Sequence, residues 1–145
     1  MIDMAGLTSR NKGKRGEREV VKLLQPMINE VYGYYELEPP KLERNQMQSN
    51  NGGYDIVGLD WLALEVKFQE QLNIKAFWKQ TVAQAVKGQE PVLIYRKSRM
   101  KWRVMMYAYL RVDKKKRLRK AVDIPVEDFL EYLQHRIASE LTNND

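Results

Sequence analysis

The stretch GGYDIVGLDWLALEVKF, residues 52–68, sets two carboxylates and a lysine among apolar residues that should build a core. Its second half alternates with a period of two. Leu62, Leu64, Val66 and Phe68 fall on one face of a strand, and Ala63, Glu65 and Lys67 on the other. Where Asp55 lands depends on the register with the preceding strand, YDIVG. A two-residue turn at Leu59-Asp60 puts Asp55 opposite Leu64, on the apolar face, and buries a lone carboxylate. A three-residue connection, Leu59 to Trp61, or an equivalent bulge, shifts the pairing by one and sets Asp55 opposite Glu65, on the side that carries Lys67. The second register is expected.

The rest of the chain limits what such a site can be. At 145 residues it is read as one domain, 1–145, able to bury a core without disulfides. It has no cysteine, which removes disulfides, thiolate metal sites and cysteine nucleophiles together. The start, MIDMAGLTSRNKGKR, lacks the apolar run of a signal peptide, and no stretch approaches the roughly 20 apolar residues that span a bilayer. The expectation is a cytoplasmic protein with no membrane partner. Lys and Arg number 25 against 19 Asp and Glu, for a formal charge of +6, which favours a polyanion such as DNA as partner.

Residues 1–9 read as a flexible arm. From Arg10 to Asn29, Val20, Val21, Leu23, Leu24, Met27 and Ile28 recur at helical spacing, with Pro26 expected to kink the helix or shorten its regular part. VYGYYELE, 31–38, reads as a strand ended by Pro39-Pro40, and KLERNQMQSNNGG as a long polar loop. After the two strands of the opening stretch, Asn73 caps a helix through Lys87, stopped at Gly88. PVLIYRK and WRVMMYAYLRV read as strands, KKKRLRK as a basic turn, AVDI as a short strand, and Pro125 opens a last helix to about Glu140 with Phe129, Leu130, Leu133 and Ile137 buried. The order α-β-β-β-α-β-β-β-α predicts an α/β fold: a mixed central sheet flanked by helices, with a core over 10–110 and a C-terminal extension, 111–145, of basic turn, strand and helix.

Two carboxylates forced together in a half-buried place repel, and one takes a proton unless a cation compensates. Hard oxygen ligands suit Mg²⁺, with Mn²⁺ as substitute, and such ions complete their shells with waters and phosphate oxygens. Lys67 would add a positive charge able to orient a water and stabilise developing negative charge. The bland alternative is a turn-capping Asp55 and an ordinary exposed Glu65-Lys67 face. E-x-K triplets are common, and what distinguishes this one is the aspartate in the preceding strand, an acidic helix upstream and a basic chain.

These residues resemble the PD-(D/E)XK nuclease superfamily, Asp55 matching its aspartate and Glu65-Val66-Lys67 its (D/E)-x-K. Within it the chain is most similar to archaeal-type Holliday junction resolvases and their phage relatives, which begin with a helix carrying K-G-x-x-x-E-R-E; here KGKRGERE runs from Lys12 to Glu19. The resemblance covers about 12–105. It implies a restriction-endonuclease-like α-β-β-β-α-β core, Glu17 as third acidic group at a metal bound by Asp55, Glu65 and the backbone carbonyl of Val66, Arg18 on DNA, and a homodimer acting on four-way junctions in recombination and repair. The long loop before Asp55 and the C-terminal extension depart from the pattern.

Other candidates are more open. Glu17 and Glu19 cannot both face the sheet, being two residues apart on a helix; only the resemblance selects Glu17. Lys12, Lys14 and Arg15 can hold phosphate or form an ordinary charged helix surface. Gln80 and Gln84 lie one turn apart. Among loop residues Arg44, Asn45, Gln46, Gln48, Ser49 and Asn50, the resemblance favours Ser49. Lys114, Lys115 and Lys116, with Arg117, Arg119 and Lys120, read as a DNA-binding hairpin or a solvated turn. His135 is assigned no role, and Trp78, Met105 and Met106 read as core or dimer surface. The leading expectation is a metal-dependent, structure-selective endonuclease, a junction resolvase; the alternatives are a restriction-like or repair endonuclease on duplex DNA, and a non-catalytic DNA-binding protein.

Overall fold

The computed structural model describes residues 4–45 and 55–143. Helix α1 spans Met4–Tyr34. Its buried stripe, Gly16, Val20, Leu24, Ile28 and Val31, follows the i, i+4 and i, i+3 spacing of one helical face. The expected arm therefore forms the start of α1 from Met4 onward. The helix also continues through Pro26, which sits on the exposed face. The strand expected over 31–38 is a correction: Val31 extends the apolar stripe by one more turn, and packing of that stripe overrides the β-preference of its neighbours. The helix closes where Leu37 N donates to the Tyr32 carbonyl, at 3.0 Å, with Glu36 at a φ of 57°.

The first strand is instead β1, Glu43–Arg44, followed by β2 (Ile56–Val57), β3 (Leu62–Phe68), α2 (Ile74–Gln84), β4 (Glu90–Arg96), β5 (Arg103–Arg111), β6 (Arg117–Pro125) and α3 (Val126–Thr142). Among the described residues the order of element types is the expected one. The six strands lie side by side in chain order, and only β3 and β4 run parallel. A parallel pair needs a crossover, and α2 supplies it. Asn73 caps α2 as expected, its side chain accepting from Ala76 N at 3.2 Å, but the helix ends at Gln84, three residues short of Lys87. The basic run is likewise divided: Lys114–Lys116 form the tip of the β5–β6 hairpin, where Asp113 Oδ1 accepts from Lys115 N and Lys116 N at 2.8 Å each, while Arg117, Arg119 and Lys120 belong to β6.

The two sheet faces are covered differently. Leu62, Leu64 and Val66 of β3, Val92 and Ile94 of β4, and Val104 and Met106 of β5 pack with α1 and α3 in the main core. The opposite face, which carries Glu65 and Lys67, is covered by α2; Trp78 meets Tyr107 edge-on at 5.1 Å between ring centroids. Trp78 is thus engaged in intrachain packing, and Met106 is buried core.

Gly16 sets how closely α1 approaches the sheet. A Cβ there would lie 2.9 Å from Phe68 Cβ, with the Trp102 ring 3.4 Å away. Any larger residue lifts the helix off β3, one position before Glu17. Gly16→Ala should therefore destabilise the protein by about 1–3 kcal/mol, as overpacking of a close contact does, measurable by urea unfolding; unchanged stability would mean that α1 sits less tightly on β3.

Candidate active site

Ile56 pairs with Leu64, and Asp55 N donates to the Leu64 carbonyl at 3.0 Å. The three-residue connection is the one formed: Leu62 N reaches back to Leu59 O at 3.0 Å. In this register Asp55 lies opposite Glu65. Asp55 is 7 % and Glu65 2 % exposed. Asp55 Oδ2 accepts a hydrogen bond from Val66 N at 2.8 Å, which ties the aspartate of one strand to the middle of the E-x-K triplet in the next. Because the N–H and C=O of one strand residue point to the same side, the Val66 carbonyl is directed toward this same flank of β3.

The pair carries the electrostatic strain expected of it. The Glu65 carboxyl is pushed up to about 8, first by burial and then by the neighbouring charge of Asp55, with Lys67 opposing. Lys67 Nζ lies 3.5 Å from Glu65 Oε1 and 5.3 Å from the centroid of the Phe77 ring. One side of the ammonium thus meets the carboxylate, while the aromatic face contributed by α2 holds the other.

Helix α1 delivers two acids to different places. Glu17 ion-pairs with Arg44 of β1. Its acidity is weakened by burial, and the charge of Asp55 adds to that shift while Arg44 opposes it. Glu19 is engaged elsewhere, accepting from Arg96 Nη2 at 2.9 and 3.0 Å and from Arg15 Nε at 3.0 Å. Burial works against its ionisation, yet these hydrogen bonds hold it below its ordinary value. Among the described residues no three acidic or histidine side chains converge as a ready metal cluster. The donor set is a buried pair of carboxylates with a strand carbonyl beside it, and Glu17 held at the margin by Arg44. Hard oxygen donors in that number suit a divalent ion that keeps several waters.

Sequence reasoning had no signal for what positions Arg44. Gln25 of α1 donates to Pro40 O at 2.9 Å and accepts from Leu42 N at 2.7 Å, so its amide fastens the chain leading into β1. Arg44 is paired with Ile56, and Asn45 N donates to Asp55 O at 2.7 Å. Of the expected DNA contacts, Lys14, Arg15 and Arg18 are exposed on α1 near Glu17, and Lys12 bridges to Glu70 and Ser98. Gln80 and Gln84 lie on α2. Gln46, Gln48, Ser49 and Asn50 fall outside the described residues. Lys114–Lys116 are not brought to the carboxylates. Met105 is level with Glu65 through Leu93, and β5 runs from there toward the hairpin for six further residues to Arg111, roughly 20 Å at strand rise.

The fold and this carboxylate–lysine arrangement are those of the PD-(D/E)XK nucleases. Residues 8–135 match the family described as "Phage putative PDDEXK endonuclease", and the chain belongs to that family. Nucleases of this kind typically use a divalent metal. No curated protein matches the chain in sequence. Among solved structures it is similar in fold to Hjc of Archaeoglobus fulgidus, a Holliday junction resolvase from an archaeal hyperthermophile, with a TM-score of 0.50 and 18% identity over 83% of this chain and 96% of that one. Among the described residues no helix is long and apolar enough to cross a membrane.

The raised Glu65 has a measurable consequence. Between its ordinary value of 4.5 and about 8 the folded metal-free protein holds a proton that the unfolded chain has released. Stability therefore falls as pH rises through that window and levels off above it. Thermal unfolding in chelator should show the midpoint dropping from about pH 5 to about pH 8.5, with the slope flattened in Glu65→Gln. A wild-type profile parallel to that of the variant would contradict the buried pair.

Proposed function

We propose that the protein is a Mg²⁺-dependent endodeoxyribonuclease that cuts branched DNA, a Holliday junction resolvase acting as a homodimer. The observation that carries the catalytic part is the register that sets buried Asp55 against Glu65, with Lys67 Nζ 3.5 Å from Glu65 Oε1. Asp55, Glu65 and the Val66 carbonyl would hold the ion, with Mn²⁺ as substitute and Glu17 supporting it or its water. When bound, such an ion supplies Lewis acidity and a water of lowered pKa.

The protein's own groups then divide the work. Asp55 and Glu65 fix the position at which a phosphate is received. Lys67, braced by Phe77, orients the attacking water and offers positive charge where negative charge builds on the phosphoryl oxygens as the P–O bond breaks. Glu17, whose carboxyl feels the charge of Asp55 and is ion-paired with Arg44, would support the ion or its water. Lys12, Lys14, Arg15, Arg18 and Arg44 surround this end of the sheet and suit the DNA backbone, whose contacts position rather than specify. Ser49 and the Lys114–Lys116 tip remain part of the proposed DNA surface by resemblance and by charge. The junction preference is supported by the family membership together with the Hjc-like fold. A two-fold dimer is the simplest way to place two matched cuts.

Asp55→Asn or Glu65→Gln should lower metal-dependent cleavage by more than about 10²-fold while DNA binding is kept or tightened. Lys67→Ala should reduce kcat by roughly 10²–10³-fold with KM little changed, because the ammonium acts on charge that develops during reaction. Normal turnover by any of the three would overturn the site. A four-way junction and its constituent duplexes, cut side by side in Mg²⁺, test the substrate: preference for the junction is expected, and equal cutting would leave an endonuclease of duplex DNA.

A further inference from the structure

The turn between β4 and β5, Lys97-Ser98-Arg99-Met100-Lys101, lies at the end of the sheet toward which Lys67 advances. Lys67 pairs with Tyr95 and Phe68 with Arg96, so the turn begins two residues, roughly 7 Å, beyond the level of Lys67. It is fixed to its surroundings. Ser98 N donates to Glu70 Oε1 at 3.2 Å, Ser98 Oγ and Lys12 Nζ bond the same carboxylate, and Met100 N closes the turn on Lys97 O at 3.2 Å. Just before it, Arg96 is clamped by Glu19 and stacked 3.9 Å from the centroid of Phe68.

Within this anchored turn the charge is one-sided. Residues 96–103 read RKSRMKWR, with five cations and no acid. Arg96 and Arg103 are paired, with Glu19 and Asp123. Lys97, Arg99 and Lys101 are exposed and form no ion pair with any described residue. Arg99 has a φ of +66°. It occupies the third position of the Lys97–Met100 turn, where a positive φ fits glycine and is uncommon for other residues. A cation thus stands at a place where the backbone alone would favour glycine, and such retained strain points to a role for the side chain.

We propose that Lys97, Arg99 and Lys101 form a rigid phosphate-binding clip, which together with Lys14 and Arg15 of α1 receives the backbone of the duplex arm leaving the cleavage site. The proposal rests on the nuclease reading for its placement and adds a contact surface at the end of the sheet opposite the β5–β6 hairpin tip. Its ligand is DNA backbone, recognised by spacing of charge and not by base sequence.

The test is binding of a fluorescent four-way junction in EDTA across a range of salt, which requires no cleavage. Arg99→Gly should leave the thermal midpoint unchanged or higher, since the turn relaxes, yet flatten the log-log salt dependence by about 0.9. Replacing Lys97 and Lys101 with Ala as well should flatten it by roughly 2.7 in all, at about 0.9 per lost contact. An unchanged slope in both variants would overturn the clip and return the turn to a solvated surface. A loss confined to the Lys114, Lys115 and Lys116 triple alanine variant would likewise overturn it and place the DNA on the hairpin. Clip-dependent binding without any metal-dependent cutting would uphold the clip while removing the nuclease reading.

Discussion

Asp55 and Glu65 are held opposite each other, nearly sealed from water, by a backbone register that neither side chain chooses. The pairing of Ile56 with Leu64 fixes it; with β3 also held in place by β4, a slip of β2 by one would turn Ile56 out of the core and Asp55 into it. Burial and the charge of Asp55 push the Glu65 carboxyl up to about 8, a cost at neutral pH that the proposed divalent cation would relieve. Much of the neighbouring structure serves this one point. Gly16 lets α1 lie close enough for Glu17 to feel Asp55, Gln25 fastens the segment that carries Arg44, and Phe77 steadies Lys67.

The sheet has two chemically different ends. Toward the end reached by Lys67 gather the start of α1, the Arg96–Glu19 clamp and the anchored 97–101 turn; toward the other projects the hairpin with Lys114–Lys116. In the proposed complex with DNA, the first end meets the scissile strand and its arm. The hairpin has both cations and exposed apolar residues, Tyr109, Leu110, Val112 and Leu118, a mixed surface unlike the purely charged clip.

Much of the fold was legible from periodicity: the order of elements, the cap at Asn73, the final helix and the register at Asp55. The strand expected at 31–38 failed because Val31 satisfies a helical stripe and a β-propensity at once, and only packing against the sheet decides between them. The true β1 is two residues long, below what any pattern can signal. For the site, the period-two alternation places Glu65 and Lys67 on one face, and bringing Asp55 to them takes the further expectation of a three-residue connection, which avoids a lone carboxylate on the apolar face. Choosing between Glu17 and Glu19 was not possible from spacing, because the choice is made by Arg44 and Arg96, partners 27 and 77 residues away. The clip escaped notice for the same reason: a short basic turn acquires meaning only once the sheet shows which end it occupies.

The proposal that the buried pair holds a divalent ion is tested most directly by calorimetric titration of the chelator-treated protein with Mn²⁺, in buffers of differing ionisation enthalpy. With the Glu65 carboxyl at about 8, binding at about pH 7 should release about one proton per ion, and the release should fade above about pH 9 and vanish in Glu65→Gln. Binding at neutral pH with no proton released, or with the same release in the variant, would contradict it.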